Sequence, residues 1–377
     1  MKIGIPKETA PGETRVAFVP ALAAALLRDQ HEVLVEAGAG LGAGFSDAQY
    51  AAAGVRVIGS AAEVFATADV ILKVQPPSET EAALIREGGV YVGFLAPFAN
   101  APVLRTLVAR RITAYAMEFI PRITRAQSMD ALSSQATVAG YKAVLIAAER
   151  LGKMFPMLMT AAGTVTPVTV LVLGAGVAGL QAIATAKRLG ARVEAFDPRP
   201  AVREQVKSLG AVFVEMELPK DAETAGGYAK ELSPAFIQKE MEAIGARLPK
   251  VDVVISTAQV FGKKAPLLVT KEMAGLLRPG AVFIDLAAEQ GGNCELTRAG
   301  ETVVQGGVSF IGAVNLPATV PADASALYAR NCFNLLRHLY PKPGAQPDPA
   351  DEIVKGACLT RDGEVVNETV RKSLATA

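Results

Sequence analysis

The sequence predicts an α/β protein with two doubly wound domains and mostly parallel sheets. Short apolar strands alternate with amphipathic or alanine-rich helices along the chain, which is the order that βαβ units require. The length of 377 residues is enough for roughly two domains. Because 51% of the residues are apolar, each domain can bury a core of its own.

The predicted strands are short apolar runs bounded by glycine, proline or polar residues. Helices such as Ala21–Asp29 and Pro102–Arg110 lie between them. We predict strands at Lys2–Ile5, Val33–Glu36, Val70–Val74, Val90–Leu95, Val168–Leu173, Val193–Phe196, Val251–Ser256 and Ala281–Leu286.

The order of these elements divides the chain into two sheets. A helix predicted at Ala136–Leu151 separates the first four strands from the last four. A helix at Ala326–Tyr340 has no obvious partner in the second sheet, so we expect the C-terminal segment to return to the first domain. The predicted domains are residues 1–131 with 312–377, and residues 132–311.

Charge and reactive residues exclude several classes of function. The formal net charge of +1 predicts neither nucleic acid nor an anionic membrane surface as a partner. The cysteines, Cys294, Cys332 and Cys358, are widely spaced and indicate reduced cytosolic thiols rather than disulfides or a zinc site. The only histidines are His31 and His338, so we expect no histidine metal cluster.

No membrane or export segment is predicted. The N-terminus turns polar within a few residues, unlike a signal peptide. The run from Met154 to Ala186 carries no charge, but Pro156, Gly163 and Pro167 interrupt it. A spanning helix needs about 20 mostly apolar residues. We therefore expect this run to form a buried loop, strand, turn and helix.

A glycine fingerprint follows the predicted strand that ends at Leu173. Gly174, Gly176 and Gly179 have the GxGxxG spacing, and Val177 lies in the turn that leads into the next helix. The first glycine permits a tight turn, the second lets the backbone approach a pyrophosphate, and the third allows close packing of helix on strand. Free N–H groups at the helix N-terminus favour an anion there. The pattern predicts one bound dinucleotide.

The acidic residue of this pattern is Asp197, which ends the next strand 23 residues after Gly174. A spacing of roughly 20 is typical of the residue that accepts hydrogen bonds from the adenosine ribose. A 2′-phosphate would meet this carboxylate, so NAD(H) is favoured, although Arg199 could accept such a phosphate and leaves NADP(H) open. Gln259 follows the strand Val251–Ser256, where a contact with the cofactor is one of two readings.

A second glycine-rich stretch, Gly38–Gly44, does not predict a second nucleotide site. Ser46 and Gln49 form a capping-box pattern, so the helix begins after Ser46 and the glycines are not at its N-terminus. We expect a turn at this position and a single dinucleotide in the chain.

Several motifs together resemble the alanine dehydrogenase and nicotinamide nucleotide transhydrogenase superfamily, and the resemblance covers nearly the whole chain. It implies two Rossmann-like domains with the cofactor in the cleft between them. The motifs are Ile5–Glu8 (IPKE), the run Arg15-Val-Ala, Leu72–Pro77 (LKVQPP), the Gly174 fingerprint and Asp285–Gly292 (DLAAEQGG).

Within this superfamily, the chain lacks a group that alanine dehydrogenases use. Arg15 and Lys73 match the residues that bind the substrate carboxylate in those enzymes, although a structural role is also open for them. Ala96 stands where the dehydrogenases have a histidine acid/base, and Glu289 stands where they have an aspartate. Asp285 and Glu289 are read as loop capping in preference to an acid–base pair. Oxidation of an amine needs a group that takes up a proton.

Two segments resemble the NAD(H)-binding component of proton-translocating transhydrogenase. In the first, Pro121–Ala136, the resemblance assigns Arg122, Gln127, Asp130 and Ser133 to the surroundings of the nicotinamide. In the second, Ala225–Glu231, it assigns Gly227 and Tyr228 to a mobile loop that closes over the cofactor. A polar linker and a solvated glycine-rich loop are the alternative readings of the two segments.

The resemblance therefore implies a Re/Si-specific, proton-translocating NAD(P)+ transhydrogenase, of which this chain is the NAD(H)-binding subunit. NADP(H) would arrive on a partner subunit, and membrane-spanning subunits would couple hydride transfer to proton movement. We expect a homodimer without a transmembrane segment of its own, located in the cytoplasm at the inner face of the cell membrane. An NAD-dependent alanine dehydrogenase and a non-catalytic NAD(H) sensor are the alternatives.

Overall fold

The computed structural model describes residues 1–215, 234–260, 262–342 and 344–376. The chain forms two compact units, which are Met1–Gln135 with Pro317–Ala377, and Ala136–Leu316. These boundaries fall four and five residues later in the chain than the predicted ones. That the second unit holds NAD(H) remains a prediction.

The chain begins with alternating strands and helices. Serine side chains start three of the helices: Ser46, Ser60 and Ser78 each accept a hydrogen bond from the backbone N–H three residues later. The strands are β1 (Lys2–Ile5), β2 (Glu32–Glu36), β3 (Arg56–Ile58), β4 (Val70–Leu72), β5 (Val90–Gly93) and β6 (Thr113–Ala116), and the helices are α1 (Ala23–Arg28), α2 (Asp47–Ala52), α3 (Ala61–Thr67), α4 (Glu79–Leu84), α5 (Ala101–Ala109) and the long α6 (Ala131–Arg150).

The second unit continues the alternation after a short hairpin. Its elements are β7 (Leu158–Thr160), β8 (Gly163–Val165), β9 (Thr169–Leu173), α7 (Val177–Arg188), β10 (Arg192–Phe196), α8 (Arg203–Ser208), β11 (Val212–Phe213), α9 (Pro234–Gly245), β12 (Val253–Ser256), α10 (Lys271–Ala274), β13 (Val282–Asp285), β14 (Thr302–Gln305) and β15 (Val308–Gly312). The C-terminal segment adds α11 (Pro321–Leu339), α12 (Glu352–Ala357), β16 (Cys358–Arg361), β17 (Glu364–Val365) and α13 (Glu368–Thr376) to the first unit.

Each unit is built on one doubly wound sheet, as predicted. The first sheet has the order β17-β16-β6-β5-β4-β1-β2-β3, and the second has the order β11-β10-β9-β12-β13-β15-β14. All pairs in the first sheet are parallel except those of β16 with β6 and with β17. In the second sheet only β14 runs antiparallel to its neighbour.

Both sheets are buried on their two faces, which explains why their strands read as continuous apolar runs. In β2, Val33 and Val35 belong to one core cluster and Leu34 to another. In β9, Val170 and Val172 face one core, whereas Leu171 faces the other. In both units the strand order reverses beside the first strand, and ligands of such sheets bind at the carboxyl ends of the strands there.

The expectation for the uncharged run Met154–Ala186 is correct only in its second half. The strand β9 and the helix α7 form as predicted, but β7 and β8 pair as a separate two-stranded sheet. Its apolar side chains are exposed, with Met154 58% and Met159 79% accessible. Among the described helices, none is both long and apolar enough to cross a membrane.

Two further predictions are settled by helix starts. Ser46 and Gln49 form the predicted capping box, so Gly38–Gly44 is a turn that precedes α2. The helix expected at Ala136–Leu151 begins five residues earlier, at Ala131, because Asp130 caps its first turn. Ser133 therefore lies in a helix and not in a loop.

Candidate functional site

The glycine fingerprint forms a tight turn between β9 and α7. Gly174 has φ +93°, a conformation that side chains rarely adopt, and a Cβ atom on it would lie 2.7 Å from the Thr257 hydroxyl oxygen. A Cβ atom on Gly179 would lie 1.9 Å from the carbonyl oxygen of Gly174. Both positions therefore require glycine. On the other side of α7, a Cβ atom on Gly140 would lie 2.1 Å from the carbonyl oxygen of Ala178.

The N-terminus of α7 is open where a pyrophosphate would bind. Gly176 is the N-cap residue, and no side chain caps the first turn. A Cβ atom on Gly176 would have only the Arg199 Nη2 atom within reach, at 4.0 Å. The backbone N–H groups that begin with Val177 are those a helix leaves without intrahelical partners, and together with the helix dipole they attract an anion. These residues fit the diphosphate of a dinucleotide.

Asp197 and Arg199 are held together at the expected ribose position. Asp197 is 2% exposed, and its oxygens accept hydrogen bonds from Nε (2.9 Å) and Nη2 (2.8 Å) of Arg199. The backbone N–H groups of Ala175 and Arg199 donate to the same carboxylate, at 2.7 and 2.9 Å. A carboxylate has about four acceptor positions, so a ribose hydroxyl group must displace part of Arg199 to reach Asp197.

Gln259 lies at the carboxyl end of β12, next to β9 in the sheet, where ligands of doubly wound sheets bind. Its side-chain amide is exposed and donates to the Leu286 carbonyl at 2.7 Å, so it joins the ends of β12 and β13. Asp285 caps the loop after β13, since its carboxylate accepts from the N–H groups of Ala287 and Asn293. Glu289 is exposed in that loop. The predicted lid residues Gly227 and Tyr228 lie outside the described residues.

The residues predicted around the nicotinamide occupy a 3-10 turn, Thr124–Met129, and the start of α6. Asp130 and Ser133 are brought together: the Ser133 N–H and hydroxyl groups donate to the two Asp130 oxygens, at 2.9 and 2.6 Å. This pair therefore caps the helix. Arg122 and Gln127 are exposed, and among the described residues no hydrogen bond reaches the Gln127 side chain.

This turn is fixed from below by the C-terminal helices. The amide groups of Asn331 and Asn334 both donate to the Ser128 carbonyl, at 2.9 Å. Arg125 forms an ion pair with Asp351 at 2.6 Å, and Asp351 in turn caps α12. The backbone around Gln127 is thus held in place while its side chain stays available.

Arg15 and Lys73 lie in buried ion pairs at the carboxyl ends of β1 and β4. Both Nε and Nη2 of Arg15 donate to Glu13, at 2.8 and 2.6 Å. The Lys73 ammonium lies 2.9 Å from Glu81 and 3.3 Å from Glu8. Burial raises the pKa of Glu8. Burial also acts to raise the pKa of Glu81, but Lys73 and hydrogen bonds from Ser78 outweigh it and leave that pKa below its usual value.

The position of the missing histidine is held by a buried carboxyl group. Ala96 is exposed in the turn after β5, with φ +44°. Its N–H and that of Leu95 donate to one oxygen of Glu118, at 2.6 and 2.9 Å. Burial raises the pKa of Glu118. The methyl group of Ala96 cannot exchange a proton with a substrate.

Sequence reasoning missed Glu240, a buried carboxyl group on α9. It is 5% exposed, and burial, with a contribution from the Asp197 charge, raises its pKa to about 7. The signal was present in the helix pattern: Glu240 occupies an apolar position, four residues from Phe236 and from Ile244. Within the described ranges no group of three or more His, Cys, Asp or Glu residues could hold a metal ion.

The comparison with known proteins agrees with this geometry. Residues 4–139 match the alanine dehydrogenase/PNT N-terminal domain, and residues 143–368 match the alanine dehydrogenase/PNT C-terminal domain. The chain belongs to the alanine dehydrogenase/PNT family. The resemblance that was inferred from the motifs is therefore confirmed.

Relatives from both branches of the alanine dehydrogenase/PNT family match the chain over nearly its whole length. The first of the separate polypeptides that form NAD(P) transhydrogenase subunit alpha in Rhodospirillum rubrum is 50% identical over 381 residues, with 97% of this chain and 98% of that protein covered. The crystal structure of a transhydrogenase from Sinorhizobium meliloti superimposes with a TM-score of 0.88 at 44% identity, over 97% of this chain and 100% of that one. Alanine dehydrogenase of Mycobacterium tuberculosis is 34% identical, with 99% and 97% covered.

We predict that Lys73→Met destabilises the protein by about 3 kcal/mol at pH 8, because two buried carboxylates lose their cation. The loss should be smaller at pH 5, where the freed carboxyl groups take up protons. Urea denaturation measures both values. The control is Lys153→Met, which breaks an exposed pair with Asp252 and should cost less than about 1 kcal/mol. Equal effects of the two substitutions would show that the Lys73 pairs contribute no more than a surface pair.

Proposed function

We propose that this chain is the NAD(H)-binding subunit of a proton-translocating transhydrogenase. Hydride would pass directly between NAD(H) held here and NADP(H) held on a partner subunit. The observation that carries the proposal is the cradle of Gly174, Gly176 and Gly179 with Asp197 at its ribose end. The identity of 50% to a transhydrogenase subunit alpha over nearly the full length supports it.

In the proposed mechanism the residues of this chain bind and orient, and none needs to exchange a proton. Bound NAD(H) supplies the hydride at C4 of its nicotinamide ring. The N–H groups at the start of α7 hold the diphosphate, and Asp197 holds the adenosine ribose. Gln127 and Arg122, which are exposed, act with Asp130 and Ser133 to position the nicotinamide end. Alignment of two reactants at about 3–3.5 Å is by itself a large source of rate enhancement.

The partners follow from the relatives. Subunit alpha of a transhydrogenase implies further subunits, so we propose an NADP(H)-binding component and membrane-spanning components as partners. Proton translocation would take place in the membrane-spanning components. This chain would then lie in the cytoplasm, bound peripherally at the inner face of the cell membrane.

The alternative is an NAD-dependent alanine dehydrogenase, which the 34% identity to such an enzyme keeps in view. The turn at Ala96 favours the transhydrogenase. Amine oxidation needs a proton acceptor beside the reacting carbon, and here the turn presents a methyl group. Transfer of a hydride between two nicotinamide rings needs no such acceptor.

The decisive experiment mixes the purified chain with a recombinant NADP(H)-binding transhydrogenase component and follows reduction of an NAD+ analogue by NADPH. We expect turnover only when both proteins are present, because each supplies one nucleotide site. In parallel, the chain alone is incubated with NAD+ and L-alanine, and no NADH should form. Steady alanine-dependent formation of NADH by the chain alone would contradict the proposal.

We predict that Gln127→Ala lowers the rate of hydride transfer at least about tenfold while NADH affinity and stability stay near those of the parent, because its side chain makes no structural hydrogen bond among the described residues. Asp130→Ala is the matched comparison. It should also lose about 1 kcal/mol of stability, since it removes a helix cap. Stopped-flow turnover, NADH titration and thermal unfolding separate these effects. Full turnover by Gln127→Ala would remove Gln127 from the site.

We further propose that the protein is a homodimer in which the β7–β8 hairpin packs against a second copy. A two-stranded sheet is at best marginally stable alone, and the exposed side chains Met154, Met157 and Met159 form an apolar surface of the kind that protein interfaces use.

Met159→Asp should therefore shift the sedimentation mass from two chains to one, because a charge would be buried in the interface. Val304→Asp, on the exposed edge strand β14, is the control and should leave the mass unchanged. A parent protein that sediments as a single chain, or a Met159→Asp variant that stays dimeric, would contradict the assignment of the hairpin.

A further inference from the structure

The face of α9 that packs on the second sheet carries one acidic residue in an otherwise apolar stripe. The stripe consists of Phe236, Glu240 and Ile244, spaced four residues apart as one face of a helix requires, and continues to Leu248 just beyond the helix. Ile244 and Leu248 are buried in the same core cluster as Phe196. A carboxyl group at such a position opposes folding, and charged groups so placed are characteristic of functional sites.

The direction of α9 brings Glu240 toward the ribose end of the proposed nucleotide site. Just after the C-terminal end of the helix, Arg247 forms an ion pair with Glu194 in β10, at 3.1 Å. One turn earlier, Ile244 packs with Phe196, the last residue of β10. Another turn earlier, Glu240 reaches the level of Asp197, which directly follows Phe196. The helix thus runs antiparallel to β10, and the two carboxyl groups approach each other at its end.

The charges at this end of the site do not cancel. Arg199, the residue that could accept a 2′-phosphate, forms two hydrogen bonds with Asp197 through its side chain. Arg203, in the following helix, forms an ion pair with Glu215. Within the stretches of chain that the structure describes, no hydrogen bond or ion pair reaches the Glu240 carboxyl group. Burial and the Asp197 charge raise the pKa of Glu240 to about 7, so this region already resists a second negative charge.

We propose that Glu240 is a specificity-determining residue that excludes the 2′-phosphate of NADP(H) from the nucleotide site. The inference deepens the proposed function and rests on it. Asp197 alone leaves the region neutral, because Arg199 compensates it, and a neutral region with a guanidinium group would tolerate a phosphate. Glu240 adds the uncompensated negative charge that a phosphate dianion would have to approach in a poorly solvated place. Discrimination between the two nucleotides then requires both carboxyl groups.

The test is titration of the full chain with NADH and with NADPH, at pH 8, where Glu240 is mostly ionised. We expect Glu240→Gln to lower the ratio of Kd for NADPH to Kd for NADH by about tenfold or more, since it removes the charge and keeps the shape. Glu240→Met, which also restores the apolar stripe, should lower the ratio in the same way and keeps the test valid if the glutamine variant folds poorly. Glu242→Gln is the control, a residue on the same helix that lies outside the stripe.

The outcomes separate the two proposals. An unchanged ratio in both Glu240 variants, with NADH binding retained, would overturn the role of Glu240 and leave the proposed function standing. Equal loss of NADH and NADPH binding would also overturn it, because Glu240 would then hold the ribose and not exclude the phosphate. A parent chain that binds neither nucleotide would overturn both proposals. A ratio that falls in the Glu240 variants but not in Glu242→Gln supports the inference.

Discussion

The second unit depends on how closely α7 can approach the turn after β9. A Cβ atom on Gly179 would lie 1.9 Å from the Gly174 carbonyl oxygen, and one on Gly140 would lie 2.1 Å from the Ala178 carbonyl oxygen. Backbone therefore packs against backbone on both sides of the helix start. Because no side chain caps this end, its N–H groups stay available to an anion. The same contact that positions the helix thus also creates the binding surface.

The two units share a strand order but differ in what fills the point where that order reverses. In the second unit this point holds glycines and open backbone N–H groups. In the first, the ends of β1 and β4 are filled by the ion pairs of Lys73 with Glu8 and Glu81, and by that of Arg15 with Glu13. One copy of the topology presents a site, and the other closes it with its own side chains.

What could be predicted from the sequence was what depends on neighbours in the chain. The spacing of Gly174, Gly176 and Gly179 before a helix, and the capping box at Ser46, are local patterns with local causes. Strands β16 and β17 join the first sheet through β6, across more than two hundred residues, and no local pattern carries that pairing. The β7–β8 hairpin was missed because its apolar residues were taken to be buried, whereas the structure leaves them exposed.

Side-chain pairing was the least predictable aspect of the candidate site. The motif places Asp130 and Ser133 three residues apart, but only the structure shows that they bond to each other and cap α6. It likewise shows that Arg199 is engaged by Asp197, which changes the argument about NADP(H). The choice between transhydrogenase and dehydrogenase rests on a local feature, the turn at Ala96. The N–H groups of that turn occupy one oxygen of the buried Glu118 carboxyl group, so the residue that replaces the imidazole also ties up the carboxyl group nearest to it in the turn. A site built in this way suits a reaction in which only a hydride moves.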